Sequence, residues 1–215
     1  MASCFNLYAQ DDNKMSQANA QVDRPTFIKG DTWTYRVLNA WTDKELRQYQ
    51  LDFTEVDVDS LVLQLTNKTT NTVSTFRTDL DLNACRSMQD AKEVICMGPY
   101  KFPLSTGQKT SYDKYPNEDG SGFIQGDCRV EGAEKVTVPA GSFNTYKIGC
   151  RGFWTNKFGR IANVAFGSTA EGSFYEAIWY APNVKRFVKS YYEKRNSGRT
   201  LTSKETHELM VFKVQ

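Results

Sequence analysis

The sequence predicts a mainly β fold: a single domain whose curved antiparallel sheet forms a half-barrel or open barrel of about 9–11 strands with little helix. Aromatic residues make up 13% of the 215-residue chain, with 11 Tyr and 13 Phe, and such side chains pack well on a pleated surface. Apolar and polar residues alternate in short runs, as in strands with one buried face. Turn-forming residues separate these runs, so consecutive antiparallel strands are expected.

Four strands are expected in the first half of the chain. Aromatic and aliphatic residues alternate with polar ones over residues 31–37, 49–53 and 61–65. These three runs predict a meander of antiparallel strands. A fourth run at 72–77 is more polar, so we expect it at an exposed or edge position.

The centre of the chain has a weaker pattern. Residues 93–97 could pair back onto a neighbour through Cys96, and residues 102–104 indicate a short strand stopped by proline. Residues 112–122 are rich in proline, asparagine, aspartate and glycine, which predicts a loop. One domain should include both halves, because either half alone would bury too little surface to fold by itself.

The second half begins with a predicted long hairpin. Its strands at 128–138 and 143–153 flank a turn at Pro139–Ser142. The expected strands that complete the sheet are 174–180, 184–192 and 206–214, with a turn at 201–205 before the last one.

Four of the five cysteines suit two local cross-links. Ten residues separate Cys85 from Cys96, and twenty-one separate Cys128 from Cys150. Both spacings suit disulfides within an antiparallel chain and favour an oxidising compartment. Four cysteines nevertheless allow three connectivities, and the sequence does not choose between them.

The predicted hairpin does not bring its two cysteines together without an irregularity. If the chain is reflected about its turn, Val138 faces Phe143 and Cys128 faces Phe153, three residues beyond Cys150. A β-bulge at Gly132–Ala133 would absorb the offset. Alternatively, the two cysteines lie on strands that meet differently, or Cys85 or Cys96 is linked to this hairpin.

The fifth cysteine, Cys4, follows Met1-Ala2-Ser3, and small residues of this kind precede the lipidated cysteine of bacterial lipoproteins. We therefore predict a lipid anchor on Cys4. The end of an ordinary cleaved signal and an unrelated cysteine of a cytoplasmic protein are the alternatives. Residues 1–25 would then form a flexible tether and residues 26–215 the β domain of an exported protein. We expect it at the outer membrane, on its periplasmic or its surface side.

A sequence pattern carries a resemblance. Val138-Pro-Ala-Gly-Ser-Phe143, then Trp179-Tyr-Ala-Pro182 with Val184 and Lys189, resembles a pattern of uncharacterised proteobacterial envelope proteins and lipoproteins. With further matches at Phe102-Pro-Leu104 and Glu208-Leu209, the resemblance covers roughly residues 100–215. It implies a half-open antiparallel structure, similar in fold to the LolA and LolB lipoprotein carriers. The chain departs from the pattern at Lys185-Arg186, where related sequences tend to have glycine.

Signals for catalysis, metals and cofactors are weak. His207 is the single histidine, and its place in a predicted strand favours a structural role over a general base. The cysteines lack CxxC spacing and no phosphate-binding glycine loop is present, so we expect neither a metal nor a cofactor. The 27 basic and 25 acidic side chains nearly cancel, which gives no global field toward nucleic acid.

Basic residues cluster near the end of the chain beside several aromatic residues. We expect a solvated basic patch there, with contact to anionic lipid or glycan as the sharper alternative. Its members are Lys185, Arg186, Lys189, Lys194 and Arg195, with Arg199 nearby.

The leading interpretation is a monomeric, non-enzymatic envelope lipoprotein that binds an apolar ligand or a partner protein on its curved sheet. A surface-exposed interaction protein or antigen without a pocket is the alternative, and an enzyme of unrecognised type is a third. The candidate residues lining the ligand site are aromatic: Trp33, Tyr35, Trp154, Phe174, Trp179 and Tyr180.

Overall fold

The computed structural model describes residues 21–87, 94–116, 122–157 and 169–215. The predicted lipidation site Cys4 and most of the predicted tether lie outside these residues. Within them the fold is almost entirely antiparallel β structure, and one short 3-10 helix at Pro182–Val184 interrupts the strands. The predicted class, mainly β with little helix, is therefore confirmed.

The strands in the described residues are β1 Thr32–Asn39, β2 Glu45–Asp57, β3 Ser60–Asn67, β4 Thr72–Asp79, β5 Cys85–Ser87, β6 Val94–Cys96, β7 Lys109–Pro116, β8 Gly122–Val138, β9 Gly141–Lys157, β10 Thr169–Ala181, β11 Arg186–Asn196 and β12 Leu201–Lys213. Ten of them form one sheet in the order β4-β3-β2-β1-β12-β11-β10-β9-β8-β7. Strands β5 and β6 form a separate hairpin. The sheet ends at β4 on one side and β7 on the other, so it stays open.

The sheet is strongly curved. Strands β9 and β12 are three places apart, which in a flat sheet would separate them by about 14 Å. Instead the Ala140 amide beside β9 donates to the Leu209 carbonyl of β12 over 3.1 Å, and the rings of Phe143 and Phe212 lie 5.8 Å apart. We call the core-bearing side the concave face.

Alternation along the strands determines which residues reach this face. In β1 the buried positions are Trp33, Tyr35 and Val37, as the period-2 pattern predicts. In β10, Phe174 and Ile178 point into the same core. Fully burying such side chains stabilises the fold by about 1.5–3 kcal/mol each.

A covering segment, residues 80–87 and 94–104, packs against the concave face. Tyr100 and Phe102 both pack edge-on against Tyr180 of the sheet, with ring centroids 5.9 and 5.4 Å apart. The Asn83 side chain holds this segment together, because it accepts from the Tyr100 amide and donates to the Tyr100 carbonyl. At its end Leu104 exchanges two backbone hydrogen bonds with Val22, so contacts with the covering segment begin within the predicted tether.

Both disulfides form as spacing suggested. Cys85 pairs with Cys96 across the β5–β6 hairpin, and Cys128 lies directly opposite Cys150 on β8 and β9. Of the three connectivities, the structure has the local one.

Two features of the hairpin remove the expected offset. The turn contains only Pro139 and Ala140, so Val138 faces Gly141 rather than Phe143, a change of two positions. A bulge at Glu131, one residue before the predicted site, supplies the third. Gly141 has a φ of 131°, a conformation that glycine accommodates at this tight turn.

Three of the predicted elements were wrong. Residues 109–116 form strand β7 rather than the start of a loop, residues 201–205 belong to β12 rather than to a turn, and residues 102–104 contribute one isolated bridge rather than a strand. The polar run at 72–77 does lie at an edge of the sheet, as expected.

Candidate functional site

A half-open cavity of about 340 Å³ lies between the concave face and the covering segment. This volume is at the lower end of the range of roughly 300–1,000 Å³ that small-molecule sites occupy. Its wall is mainly aromatic and aliphatic, with Tyr49, Phe76, Met97, Tyr100, Tyr112, Tyr115, Ile124, Ile178 and Phe187 contributing. Two other depressions are broader and more polar, one beside the Pro139–Ala140 turn and one across β7, β8 and β9.

Arg186, the first residue of β11, places a guanidinium in the cavity wall. Its side chain is buried, with 6% of the residue exposed, and lies over the ring of Trp33 at 5.4 Å. Within the part of the chain that the structure describes, its Nε and Nη1 atoms have no hydrogen-bond partner and no carboxylate pairs with it. An unpaired buried charge is costly, since desolvation is not offset by an opposite charge.

Arg186 also influences the tyrosines around it. Burial raises the pKa of Tyr35 and of Tyr180 well above the ordinary value, and the nearby guanidinium opposes that rise. Burial likewise raises the pKa of Tyr100, and Arg186 again acts against it. These phenols therefore stay protonated and none of them neutralises the Arg186 charge as a phenolate.

Glu176, in the middle of β10, is the acidic residue of the cavity wall. Its cross-strand neighbours are Cys150 on one side and Tyr192 on the other. Part of its surface is exposed, yet it lies deep enough that burial raises its pKa from 4.5 to about 7. A carboxyl group with this pKa can donate a hydrogen bond at neutral pH or accept one after ionisation.

A chain of three polar side chains reaches the cavity from the β2 side. The Tyr49 hydroxyl and Nδ1 of His207 are 3.0 Å apart, and Nε2 of His207 lies 3.7 Å from Glu205. The imidazole of His207 and the guanidinium of Arg47 lower the pKa of Glu205 to about 2. Burial raises the pKa of Tyr49 above its ordinary range, so Tyr49 is a poor nucleophile. The three linked side chains therefore hold one another in place and do not activate a nucleophile.

The six predicted lining residues mostly form the core instead. Trp33, Tyr35 and Tyr180 are completely buried, and Trp154 and Phe174 are nearly so. None of the six belongs to the cavity wall that the described residues form, and the covering segment packs directly on one of them, Tyr180.

The sixth predicted lining residue, Trp179, points to the opposite face of β10. There its indole donates to the Glu134 carboxylate and contacts the ammonium groups of Lys147 and Lys189.

The five residues of the predicted basic patch do not share one surface. Arg186 is buried, and Lys194 lies over the Trp154 ring, 3.7 Å from its centroid, where burial lowers its pKa. Arg195 pairs with Glu193, and Lys189 lies near Glu208. Alternation along β11 separates these side chains between the two faces.

Lys185 has a different surrounding from the rest of this group. Its ammonium group donates to the buried Asp31 carboxylate over 2.9 Å and to the Gln215 carbonyl over 2.7 Å. Lys185 therefore serves a paired structural site rather than an exposed basic surface.

Sequence reasoning did not select Glu176, although a signal was present. It shares the period-2 positions of Phe174 and Tyr180, which were both predicted to line the ligand site. A carboxylate at an inward-facing strand position requires a partner or an altered pKa. Tyr112 and Tyr115 were missed because their segment was predicted as loop.

The described residues contain no cluster of three or more histidine, cysteine, aspartate or glutamate side chains arranged to hold a metal ion. They also contain no helix long and apolar enough to cross a membrane.

The fold and the site together define a class: an open, curved antiparallel sheet with a small cavity beneath a disulfide-linked covering segment. A protein from Bacteroides fragilis, described as exported and as having a YmcC-like fold, has a similar structure. It is 18% identical to this chain, with a TM-score of 0.50 over 90% of this chain and 100% of that one.

A protein from Parabacteroides distasonis, described as a lipoprotein, is 16% identical, with a TM-score of 0.49 over 89% of this chain and 99% of that one. No family model and no curated protein matches the sequence. The similarity to the first protein shows the fold alone, and the resemblance to LolA and LolB stays a prediction.

Proposed function

We propose that this protein is an exported, monomeric bacterial envelope protein that catalyses no reaction and holds an apolar ligand in the cavity beneath its covering segment. The observation that carries the proposal is the cavity itself, about 340 Å³ with a mainly aromatic and aliphatic wall. Apolar walls with a few polar groups are typical of small-molecule sites.

Two further observations support export. The two disulfides, Cys85–Cys96 and Cys128–Cys150, are characteristic of proteins folded in an oxidising compartment. The structurally similar Bacteroides fragilis protein is described as exported. A lipid on Cys4 would then hold the domain at a membrane, and the outer membrane is the anchoring site that we propose.

The side chains of the cavity favour binding over catalysis. The Tyr49 phenol is held protonated by burial, and His207 is engaged by Tyr49 and Glu205. A general base needs a free acceptor directed at a substrate, which Tyr49 and His207 do not offer. Glu176 is the wall residue whose pKa of about 7 would suit that role, and in the proposed function it is a polar group of an otherwise mainly apolar wall.

The alternative of an interaction surface without a pocket has less support. That function would use an exposed apolar patch or a reactive sheet edge. Edge strand β4, Thr72–Asp79, is rich in threonine and serine and carries Arg77, which pairs with Asp57. Polar and charged residues of this kind discourage pairing with another chain.

A fluorescent apolar probe tests the cavity. N-phenyl-1-naphthylamine is uncharged and brightens in apolar surroundings, so we expect saturable enhancement with the wild-type protein. Ser190 lines the cavity, and Ser190→Phe should fill part of it and weaken probe binding at least tenfold. Lys189→Phe places the same side chain on the opposite face of the same strand and should bind the probe like wild type.

Thermal unfolding of both variants shows whether they are folded. Equal probe binding by Ser190→Phe and Lys189→Phe would place the probe elsewhere and contradict the cavity as the site. Absence of binding in all three proteins would contradict ligand binding altogether. For the anchor, mass spectrometry of the full-length protein from its native cell should find acyl chains on Cys4, and an unmodified Cys4 would remove that part of the proposal.

A further inference from the structure

The cavity contains a charge that the described part of the protein does not neutralise. Arg186 has 6% of its surface exposed, and its Nε and Nη1 atoms make no hydrogen bond to any described residue. More than nine-tenths of buried polar groups in folded proteins are hydrogen-bonded, so an exception of this size needs a reason.

The neighbouring residue shows that the fold can satisfy a cation at this place. Lys185, immediately before Arg186, pairs with Asp31 and also donates to the Gln215 carbonyl. Asp31 in turn is completely buried and accepts from the Ile28 and Gln215 amides as well. Every charge in this group has a partner, whereas Arg186 has the face of Trp33 and a side-chain hydrogen bond with the uncharged Tyr35, and its Nε and Nη1 atoms have no partner among the described residues.

We propose that the cavity binds an apolar compound bearing a single carboxylate, and that Arg186 receives that carboxylate through its free nitrogens. This inference rests on the proposed function, since it names the ligand class of the same cavity. The planar guanidinium matches a carboxylate through two parallel hydrogen bonds, and such charge-assisted bonds are about twice as strong as neutral ones.

The rest of the wall determines the remainder of the ligand. Beyond Arg186 the wall includes Arg86, Glu176 and His207, but most of it is apolar or aromatic, with Ile178, Phe187 and Tyr112 among its residues. The group opposite the carboxylate is therefore an alkyl or aryl body. While Glu176 is protonated, a single negative charge balances the charge of Arg186, and a dianion such as a phosphate monoester would leave an excess charge in a mainly apolar wall.

Decanoate and 1-decanol are matched probes, because they share an alkyl chain and differ in charge. Each is titrated against the folded protein carrying N-phenyl-1-naphthylamine, and displacement of the fluorophore gives the affinity. At pH 6 decanoate is ionised while Glu176, whose pKa is about 7, is mostly protonated, and we expect the wild-type protein to bind decanoate at least tenfold more tightly than 1-decanol.

Arg186→Met should remove this preference. Decanoate affinity should fall at least tenfold while 1-decanol affinity changes less than threefold, because only the charged probe uses the guanidinium. Lys194→Met is the matched control: it removes another partly buried cation, the one over Trp154, and should retain the wild-type preference. Arg186→Lys should restore it only in part, since an ammonium group lacks the bidentate fork.

The outcomes separate the two proposals. If the wild-type protein binds both probes equally, the carboxylate proposal fails and the proposed apolar site stands. If neither probe displaces the fluorophore, the carboxylate proposal fails, and the apolar site stands or falls on the comparison of Ser190→Phe with Lys189→Phe. If Arg186→Met is folded but loses both probes equally, or if Lys194→Met loses the preference as well, Arg186 has no specific role in carboxylate recognition and the inference is overturned.

Discussion

Two neighbouring regions of the concave face differ in whether their buried charges have partners. Where β11 begins, Asp31 and Lys185 are paired with each other and with backbone groups, so their desolvation is offset. One residue further, Arg186 lies in the cavity wall with two unpaired nitrogens. The paired group contributes to the fold, whereas the unpaired one lowers its stability. This difference is the reason why we propose the unpaired part of the face as the ligand site.

The largest expected effect on stability comes from a substitution that breaks the Asp31–Lys185 pair. Lys185→Met leaves the fully buried Asp31 carboxylate without its cation, and the free energy of unfolding should fall by about 3 kcal/mol, the lower end for a broken buried pair. Urea denaturation measures this. Adding Asp31→Asn in the same chain should recover part of the loss, because the amide oxygen still accepts from the backbone. If Lys185→Met unfolds like wild type, this pair is not the structural element that we describe.

The contrast between these regions also shows how far sequence reasoning reaches. Alternation was sufficient for strands such as β1 and β10, because one buried face imposes a period of two on the side chains. It was not sufficient for β7, where a register shift between Tyr112 and Tyr115 and a positive φ at Lys114 break the period. The bulge that aligns Cys128 with Cys150 could be inferred only because the cysteines marked the register.

The start of β12 and the residues of the cavity wall were not predicted, for other reasons. Residues 202–205 are polar on both faces, and pairing with β11 rather than burial makes them part of a strand. The aromatic lining was predicted from residue type, but the covering segment occupies that part of the face, and its position depends on contacts such as Asn83 with Tyr100 that are distant in sequence. Arg186 was recognised as basic, yet its burial depends on β1, with Trp33 and Tyr35, and the covering segment, with Tyr100, meeting around it.

The pH dependence of stability tests the acidic residue of the cavity wall, Glu176. The unfolded chain loses the Glu176 proton near pH 4.5 and the native protein near pH 7. Between these values the native state binds more protons, so stability falls as the pH rises, by roughly 3 kcal/mol in total at most. Glu176→Gln should remove this decline, as followed by urea denaturation at several pH values.

The control for this effect lies on the same strand. Glu171 is exposed at the start of β10, so Glu171→Gln should retain the wild-type decline. Glu205 affects a different range, because its native pKa of about 2 gives stability that is present above pH 4.5 and lost as the pH falls toward 2. If the difference in free energy of unfolding between wild type and Glu176→Gln is the same at pH 5 and pH 8, Glu176 does not have the raised pKa of a buried carboxyl group.

The smallest expected change in the free energy of unfolding has the opposite sign to that of Lys185→Met. This difference in sign makes it the sharper test of the contrast between the two regions. Arg186→Met removes a buried charge without a carboxylate partner and keeps an apolar side chain of similar length over Trp33. The cation–π contact that is lost contributes about 1 kcal/mol, and the relieved desolvation exceeds it, so the free energy of unfolding should stay constant or rise by about 1 kcal/mol. Lys185→Met and Arg186→Met thus make the same substitution at adjacent positions, and urea denaturation of the two proteins without ligand compares them directly. A loss of several kcal/mol in Arg186→Met would mean that the guanidinium is a structural group like Lys185, and the distinction between the two regions would disappear.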